Sequence, residues 1–258
     1  MKLGFLAQVS ISALAAVSTV RAQESEWSGY VTVETRVFEE SPLLENQKDG
    51  ASAALIFEPE FYAEWQEGDR AFEFTPYLRT DTHDSERRLF DIRELSYLMV
   101  AGDWEARVGI SKVFWGVAES QHLVDTINQT DLVASPDGED KLGQPMIHVV
   151  RVTPFGDLEA FLLPGFRERT FPGKRGRLLS SMTVDTDNPL YESAAEEGHV
   201  DAALRWFQIA GDFDIGLHYF RGTNREPGFV PGTDGEGASV LRPYYEQMDQ
   251  WQFGSYGL

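Results

Sequence analysis

The feature that most constrains this chain is a recurring turn. Gly-Asp appears at 68–69, 102–103, 156–157 and 211–212, each time between two runs of alternating side chains. Glycine adopts the positive φ that a two-residue hairpin loop demands, and aspartate tolerates it better than most residues. Fixing the turn at 102–103 sorts the whole hairpin, because strand side chains alternate faces with period two. Ala101 then pairs with Trp104, Met99 with Ala106, Tyr97 with Val108 and Leu95 with Ile110, all apolar or aromatic. The other face pairs Leu98 with Arg107, Ser96 with Gly109 and Glu94 with Ser111.

The same logic applies elsewhere. Around 68–69, Trp65 meets Phe72 and Ala63 meets Phe74, while Glu64, Tyr62 and Glu58 meet Glu73, Thr75 and Arg79. Around 211–212, Ala210 meets Phe213, Trp206 meets Leu217 and Leu204 meets Tyr219, with Arg205 beside His218 behind them. The third hairpin breaks the rule, since a turn at 156–157 would turn Arg151 to the apolar face. A five-residue loop over 153–157 instead pairs Val152 with Leu158 and Val150 with Ala160 outward, and Arg151 with Glu159 inward. That register leaves His148 on the apolar face.

The pattern predicts ten antiparallel strands: 27–38, 55–65, 71–80, 92–101, 104–114, 146–152, 158–163, 200–210, 213–221 and 240–253. Four tight turns alternate with five long polar loops, at 39–50, 81–88, 116–145, 164–198 and 222–238, the third with one helical turn near 120–128. Short turns at one end and long loops at the other suit an all-β, up-and-down transmembrane barrel, whose strands run about ten residues. Trp65, Phe72, Trp104, Trp206 and Phe213 cluster near the turns, where an interfacial aromatic girdle belongs. A soluble β-sandwich or soluble barrel is the rival fold, but Glu58, Glu60, Glu64, Glu73, Glu94, Glu105 and Arg107 would make a poor solid core.

The N-terminus agrees. Lys2, an apolar run over 3–20 and Arg21-Ala22 read as a secretory signal peptide over 1–22, cleaved after Ala22, ahead of one barrel domain over 23–258. The expected location is the outer membrane of a Gram-negative bacterium. The chain has no cysteine, so an exported protein does without disulfides here. Cleavage removes two positive charges and takes the net charge from −20 to −22, which argues against nucleic acid.

The stretches DIREL at 91–95, VGISKVFWG at 108–116, DTINQTDL at 125–132 and LPGFR at 163–167 resemble a family of proteobacterial outer-membrane β-barrels of porin type whose function is uncharacterised. The resemblance spans roughly residues 28–250 and is strongest over 90–170. It implies a channel-type barrel and carries no catalytic residues. Family members look longer, and such barrels end on an aromatic residue where this chain ends Tyr256-Gly257-Leu258. Either the chain is truncated or ten strands close alone; truncation is the favoured expectation.

Charged rings set ion preference in pores. The pore-lining candidates are Glu58, Glu60, Glu64, Glu73, Arg79, Glu94, Glu105, Arg107, Arg151, Glu159, Arg205 and His218. The candidates for a constriction are the loop 3 acids Asp131, Asp137, Glu139 and Asp140 and the loop 4 bases Arg167, Arg169, Lys174 and Arg175. Loop 3 folding into the lumen would set those acids against those bases. The rivals are that the loop 4 cations bind lipopolysaccharide phosphates, or that both loops stay solvated and mobile. The expected partners are therefore outer-membrane lipid, lipopolysaccharide and small polar solutes. His83–Asp84 and His122–Asp125 are imaginable catalytic pairs, and the loop 3 acids are hard oxygen donors. Solvated loop residues explain both more simply, so no enzyme activity, metal or cofactor is expected. The alternative to a porin-like channel is a closed barrel acting as a rim hydrolase or structural protein.

Overall fold

The computed structural model describes residues 24–114, 126–178 and 182–257, so the leader expected over 1–22 lies outside the described residues. Ten strands form one antiparallel sheet: β1 (Glu24–Arg36), β2 (Ser52–Trp65), β3 (Arg70–Asp81), β4 (Leu89–Ala101), β5 (Trp104–Ser111), β6 (Gln144–Thr153), β7 (Gly156–Pro164), β9 (Val200–Ala210), β10 (Phe213–Thr223) and β13 (Gln247–Gly257). Each pairs with its neighbour in this order. The sheet is not closed into a barrel, since β1 and β13 do not pair with each other. A second sheet at the loop end joins the hairpin β11 (Gly228–Thr233) and β12 (Ser239–Tyr245) to β8 (Leu190–Tyr191). The tenth strand expected over 240–253 is thus two elements. Val240 to Tyr245 belong to β12, and the large sheet takes its last strand from Gln247 onward.

Two hairpins follow the Gly-Asp rule residue for residue. Ala101 pairs with Trp104 and Ala210 with Phe213, with Gly102 at φ 59° and Gly211 at φ 65°. Glycine sits at the first loop position, where a II′ turn takes it. The first hairpin differs. Its loop is four residues, 66–69, with Trp65 paired to Arg70 and positive φ at Gln66, Glu67 and Gly68. The register slips by two, so Tyr62 meets Glu73, and every side chain keeps its face.

The third hairpin turns on Pro154-Phe155, with Thr153 paired to Gly156. Proline presets φ for the first loop position, and the Thr153 hydroxyl accepts from the Phe155 N–H and donates to the Gly156 carbonyl at 2.6 Å. Arg151 therefore pairs with Leu158 and points outward, whereas His148 pairs with Phe161 and points inward. Both expectations are reversed, because the chain makes a two-residue turn at the proline in place of the five-residue loop over 153–157, and that turn leaves Arg151 on the apolar parity.

A bulge adds a second correction. Thr75 pairs with Glu94 and Pro76 with Ile92, which leaves Arg93 as the extra residue. Proline lacks the N–H that a ladder needs, so the break falls opposite it. The bulge turns Arg93 inward, where it is buried.

The outward face is mainly apolar across all ten strands. Val31, Val33, Leu55, Phe57, Val108, Ile147, Leu162 and Leu204 are each between 41 and 54% exposed. At the turn end Trp27 meets Phe61, Trp65 meets Tyr97 and Tyr219 meets Trp251 as ring pairs, the centroids 4.7 to 5.6 Å apart. The inner face is covered at the loop end. Ile127 from loop 3 packs on Met146, Phe161, Leu163, Ala203 and Phe220, inner-face residues of β6, β7, β9 and β10. Asn128 anchors the same loop, donating to the carbonyls of Ser111 and Leu142 and accepting from the Val113 N–H. The helical turn expected near 120–128 lies largely outside the described residues, and 126–128 is not helical.

Candidate functional site

The inner face and its mouth hold the charged groups. At the centre of the mouth, the Arg93 guanidinium donates to Asp131 at 2.6 Å, lies 3.3 Å from Asp91 and stacks 4.3 Å over the Tyr77 ring. Asp131 is fully buried and also accepts from the Thr170 hydroxyl and the N–H groups of Val133 and Ala134. Burial alone would raise its carboxyl. The Arg93 charge and these hydrogen bonds outweigh that and hold it below the usual carboxylate range.

Two further clusters flank this pair. On one side Arg36, Arg79 and Arg87 surround Glu34 at 2.9 to 3.3 Å, and Arg87 also pairs with Asp81 at 3.2 Å. Arg87 caps the Val133 carbonyl of loop 3. On the other side Asp201 accepts from Arg225 at 2.7 Å and from the Thr223 N–H, and lies 2.7 Å from His199. Arg225 in turn donates to the Ile127 carbonyl, so loop 3 is tied at both ends of the mouth.

Lower on the wall, Glu159 is shared by His148 at 3.0 Å and Arg205 at 2.5 Å, with His148 stacked on Phe161. His218 is buried opposite Arg205, its register partner. Arg107 lies 3.4 Å from Glu73. Toward the turns, acids dominate on β1 and β2: Glu24 pairs with Glu64, Ser28 with Glu60 and Tyr30 with Glu58. Tyr62 donates to Glu64 at 2.6 Å and Ser28 to Glu60 at 3.0 Å.

No family model, curated protein or solved structure matches the chain.

Eleven of the twelve wall candidates lie on the inner face: Glu58, Glu60, Glu64, Glu73, Arg79, Glu94, Glu105, Arg107, Glu159, Arg205 and His218. Arg151 is the exception and lies outside, its guanidinium 4.6 Å from the Trp104 ring. Arg79 is sealed in the mouth network rather than wet. Of the four loop 3 acids, Asp131 is buried on the inner face with Arg93 of the wall as its cation, and Asp140 lies where the charges of Arg93 and Glu58 reach it. Asp137, Glu139 and Asp140 are exposed, and Asp137 accepts from the Ser135 hydroxyl. The loop 4 bases take other partners: Arg167 pairs with Asp91 at 2.7 Å, Arg169 with Glu226 at 3.5 Å and Lys174 with Glu236 at 3.6 Å. Arg175 accepts at its carbonyl from the Lys48 N–H. Contact between the two loops runs through Thr170 to Asp131 and Arg169 to the Gln129 amide at 3.3 Å.

His83 and Asp84 do not pair. His83 lies 3.0 Å from the Thr82 hydroxyl, and Asp84 holds the Gly173 N–H at 2.9 Å, latching loop 4 to loop 2. His122 and Asp125 lie outside the described residues. Sequence reading missed Arg93, His148, Asp201 and Arg225. Arg93 had a signal: an arginine on an apolar parity, in the strand opposite Pro76.

Proposed function

We propose that this chain forms the wall of a porin-like channel in a Gram-negative outer membrane, passing small polar or charged solutes. One observation carries the reading: a ten-stranded antiparallel sheet with an apolar outward face and a charged inner face. A water-soluble protein rarely leaves so wide an apolar surface uncovered, and a transmembrane barrel requires that alternation. The aromatic pairs at the turn end fit an interfacial girdle. Loop 3, pinned on the inner face by Ile127 and Asn128, suits a constriction. In hydrocarbon the free edges of β1 and β13 would each expose a row of unsatisfied backbone groups, so a spanning form needs both edges paired. The porin-type family resemblance belongs to the same proposal.

The test is single-channel conductance of purified protein in planar bilayers. Discrete steps support a channel. A protein that extracts only with detergent yet never conducts favours the sealed barrel. Val108→Arg, on the outward face, should block assembly at a cost of about 2–4 kcal/mol near the midplane. Arg107→Ala, one residue away but inward, should be tolerated; equal tolerance at both positions removes the membrane reading.

A further inference from the structure

Arg151 is a cation that the fold turns away from a lumen, and its surroundings on the outward face form a site. It lies three residues before Pro154, so at a strand rise near 3.4 Å it is within about 10 Å of the turn. Its row across the sheet runs Trp104, Arg151, Leu158, Trp206 and Leu217. The next row away from the turn runs Val149, Ala160, Leu204, Tyr219 and Trp251. Ala160 is the low point of that row, between Val149 and Leu204, and the indoles of Trp104, Trp206 and Trp251 rise around it. The result is a groove of about 370 Å³ with almost wholly apolar walls.

The groove has a fixed edge and one charge. The Trp206 indole N–H donates to the Phe155 carbonyl at 2.8 Å, which holds that ring across the strands. Arg151 stacks on Trp104, and among the described residues no carboxylate pairs with it. An aromatic ring alone balances a guanidinium weakly, and a guanidinium matches a phosphate with two parallel hydrogen bonds.

We propose that this groove binds one diacyl phospholipid, with its phosphate on Arg151 and an acyl chain lying over Ala160 between the tryptophans. The proposal rests on the membrane reading above, under which the turn end lies at the headgroup level and Arg151 meets the phosphates. Charge complementarity selects the phospholipid over a neutral lipid or a second copy of the chain. It also removes the apparent cost of an outward arginine, because the cation sits at the interface rather than in hydrocarbon.

The test uses the full chain purified in a non-ionic detergent. Thermal unfolding is followed while phosphatidylglycerol, diacylglycerol of the same chain length or inorganic phosphate is titrated in. The expected result is saturable stabilisation by phosphatidylglycerol alone. Arg151→Gln should weaken it about tenfold, the effect of losing one charge-assisted hydrogen bond. Ala160→Phe should weaken it as well while keeping the cation, because it fills the groove floor. Equal responses of the three proteins, or equal stabilisation by diacylglycerol, overturn the site. Stabilisation by inorganic phosphate as strong as by the lipid overturns it too, since the chain would then add nothing. Flotation of the wild-type protein with vesicles reads the membrane placement separately: failure to float defeats that reading, whereas flotation with equal lipid responses defeats only the site.

Discussion

At the loop end of the inner face, Arg93, Asp131, Glu34 and Arg79 are each less than a tenth exposed, and each touches an opposite charge. At the turn end of the same face, Glu24 and Glu26 are exposed and Glu60 and Glu64 half-buried, with hydroxyls rather than cations against the last two. The two ends use the same residue types under different dielectric rules. A sealed charge must be paired and hydrogen-bonded, because desolvation costs several kcal/mol per ion. A wet charge need not be, and it stays available to a solute. The mouth is therefore the structural end of the wall, and under the proposed channel function the turn end is where an acid excess would act on passing ions.

The largest effect should come from unpairing the mouth. Arg93→Met leaves Asp131 buried with only the Thr170 hydroxyl and backbone N–H groups, at a cost of about 3–5 kcal/mol. Adding Asp131→Asn should recover part of that loss, since the neutral amide needs no cation. Urea unfolding followed by gel mobility or tryptophan fluorescence reads both. A loss under about 1 kcal/mol, as for an exposed pair, would break the distinction between the two ends.

The turn end should respond in the opposite sense. Glu60→Gln together with Glu64→Gln should change stability by less than about 1 kcal/mol. In a conducting protein the same pair should shift the cation-to-anion permeability ratio toward anions. A stability loss matching that of Arg93→Met would mean that these acids are structural too. An unchanged ratio would take β2 out of the solute path.

The two ends were not equally legible in the sequence. The turn end was plain, because a strict period of two sorts faces wherever the ladder is regular, and even the slip of two residues at 66–69 left Glu58, Glu60, Glu64 and Glu73 inside. The mouth was not. Arg93 reaches Asp131 only through a one-residue bulge, and a single inserted residue inverts the parity on which the reading depends. The turn end misled at one place: the cost of an outward arginine favours a five-residue loop over 153–157, but Pro154-Phe155 forms a two-residue turn, which keeps the parity of the Gly-Asp rule and turns Arg151 outward and His148 inward. Asp201 and Arg225 are partners 24 residues apart, with Arg225 just past β10 at the start of the segment that carries the second sheet, and no local pattern announces such a contact. Splitting of the tenth strand has the same origin: β12 alternates like a wall strand, but its partners are β11 and β8.

One mouth group departs from the rule of opposite partners, and it gives the smallest and most specific effect. Glu168, on loop 4, is half-buried beside the Glu197 carboxyl and receives the Tyr191 hydroxyl. Burial, then the like charge of Glu197, push its carboxyl up to about 7 from an ordinary 4.5. The folded state thus holds this proton more tightly than the unfolded chain does. Its contribution to stability is fully present below about pH 4.5 and is lost as the pH rises through about 7. The contact at stake ties loop 4 to the start of β9, where Phe166 N–H donates to the Glu197 carbonyl at 2.7 Å and Gly165 N–H to His199 at 3.2 Å. Exchange of these two amides, corrected for intrinsic rate, should therefore quicken across that window while the amides of Val133 and Ala134 on Asp131 stay protected. Solvent screening at a half-exposed site keeps the effect small. Glu168→Gln should flatten the profile by removing the titrating group, and Glu197→Gln should move it to lower pH by removing the like charge. A profile that keeps its slope in Glu168→Gln would assign the pH dependence to another group.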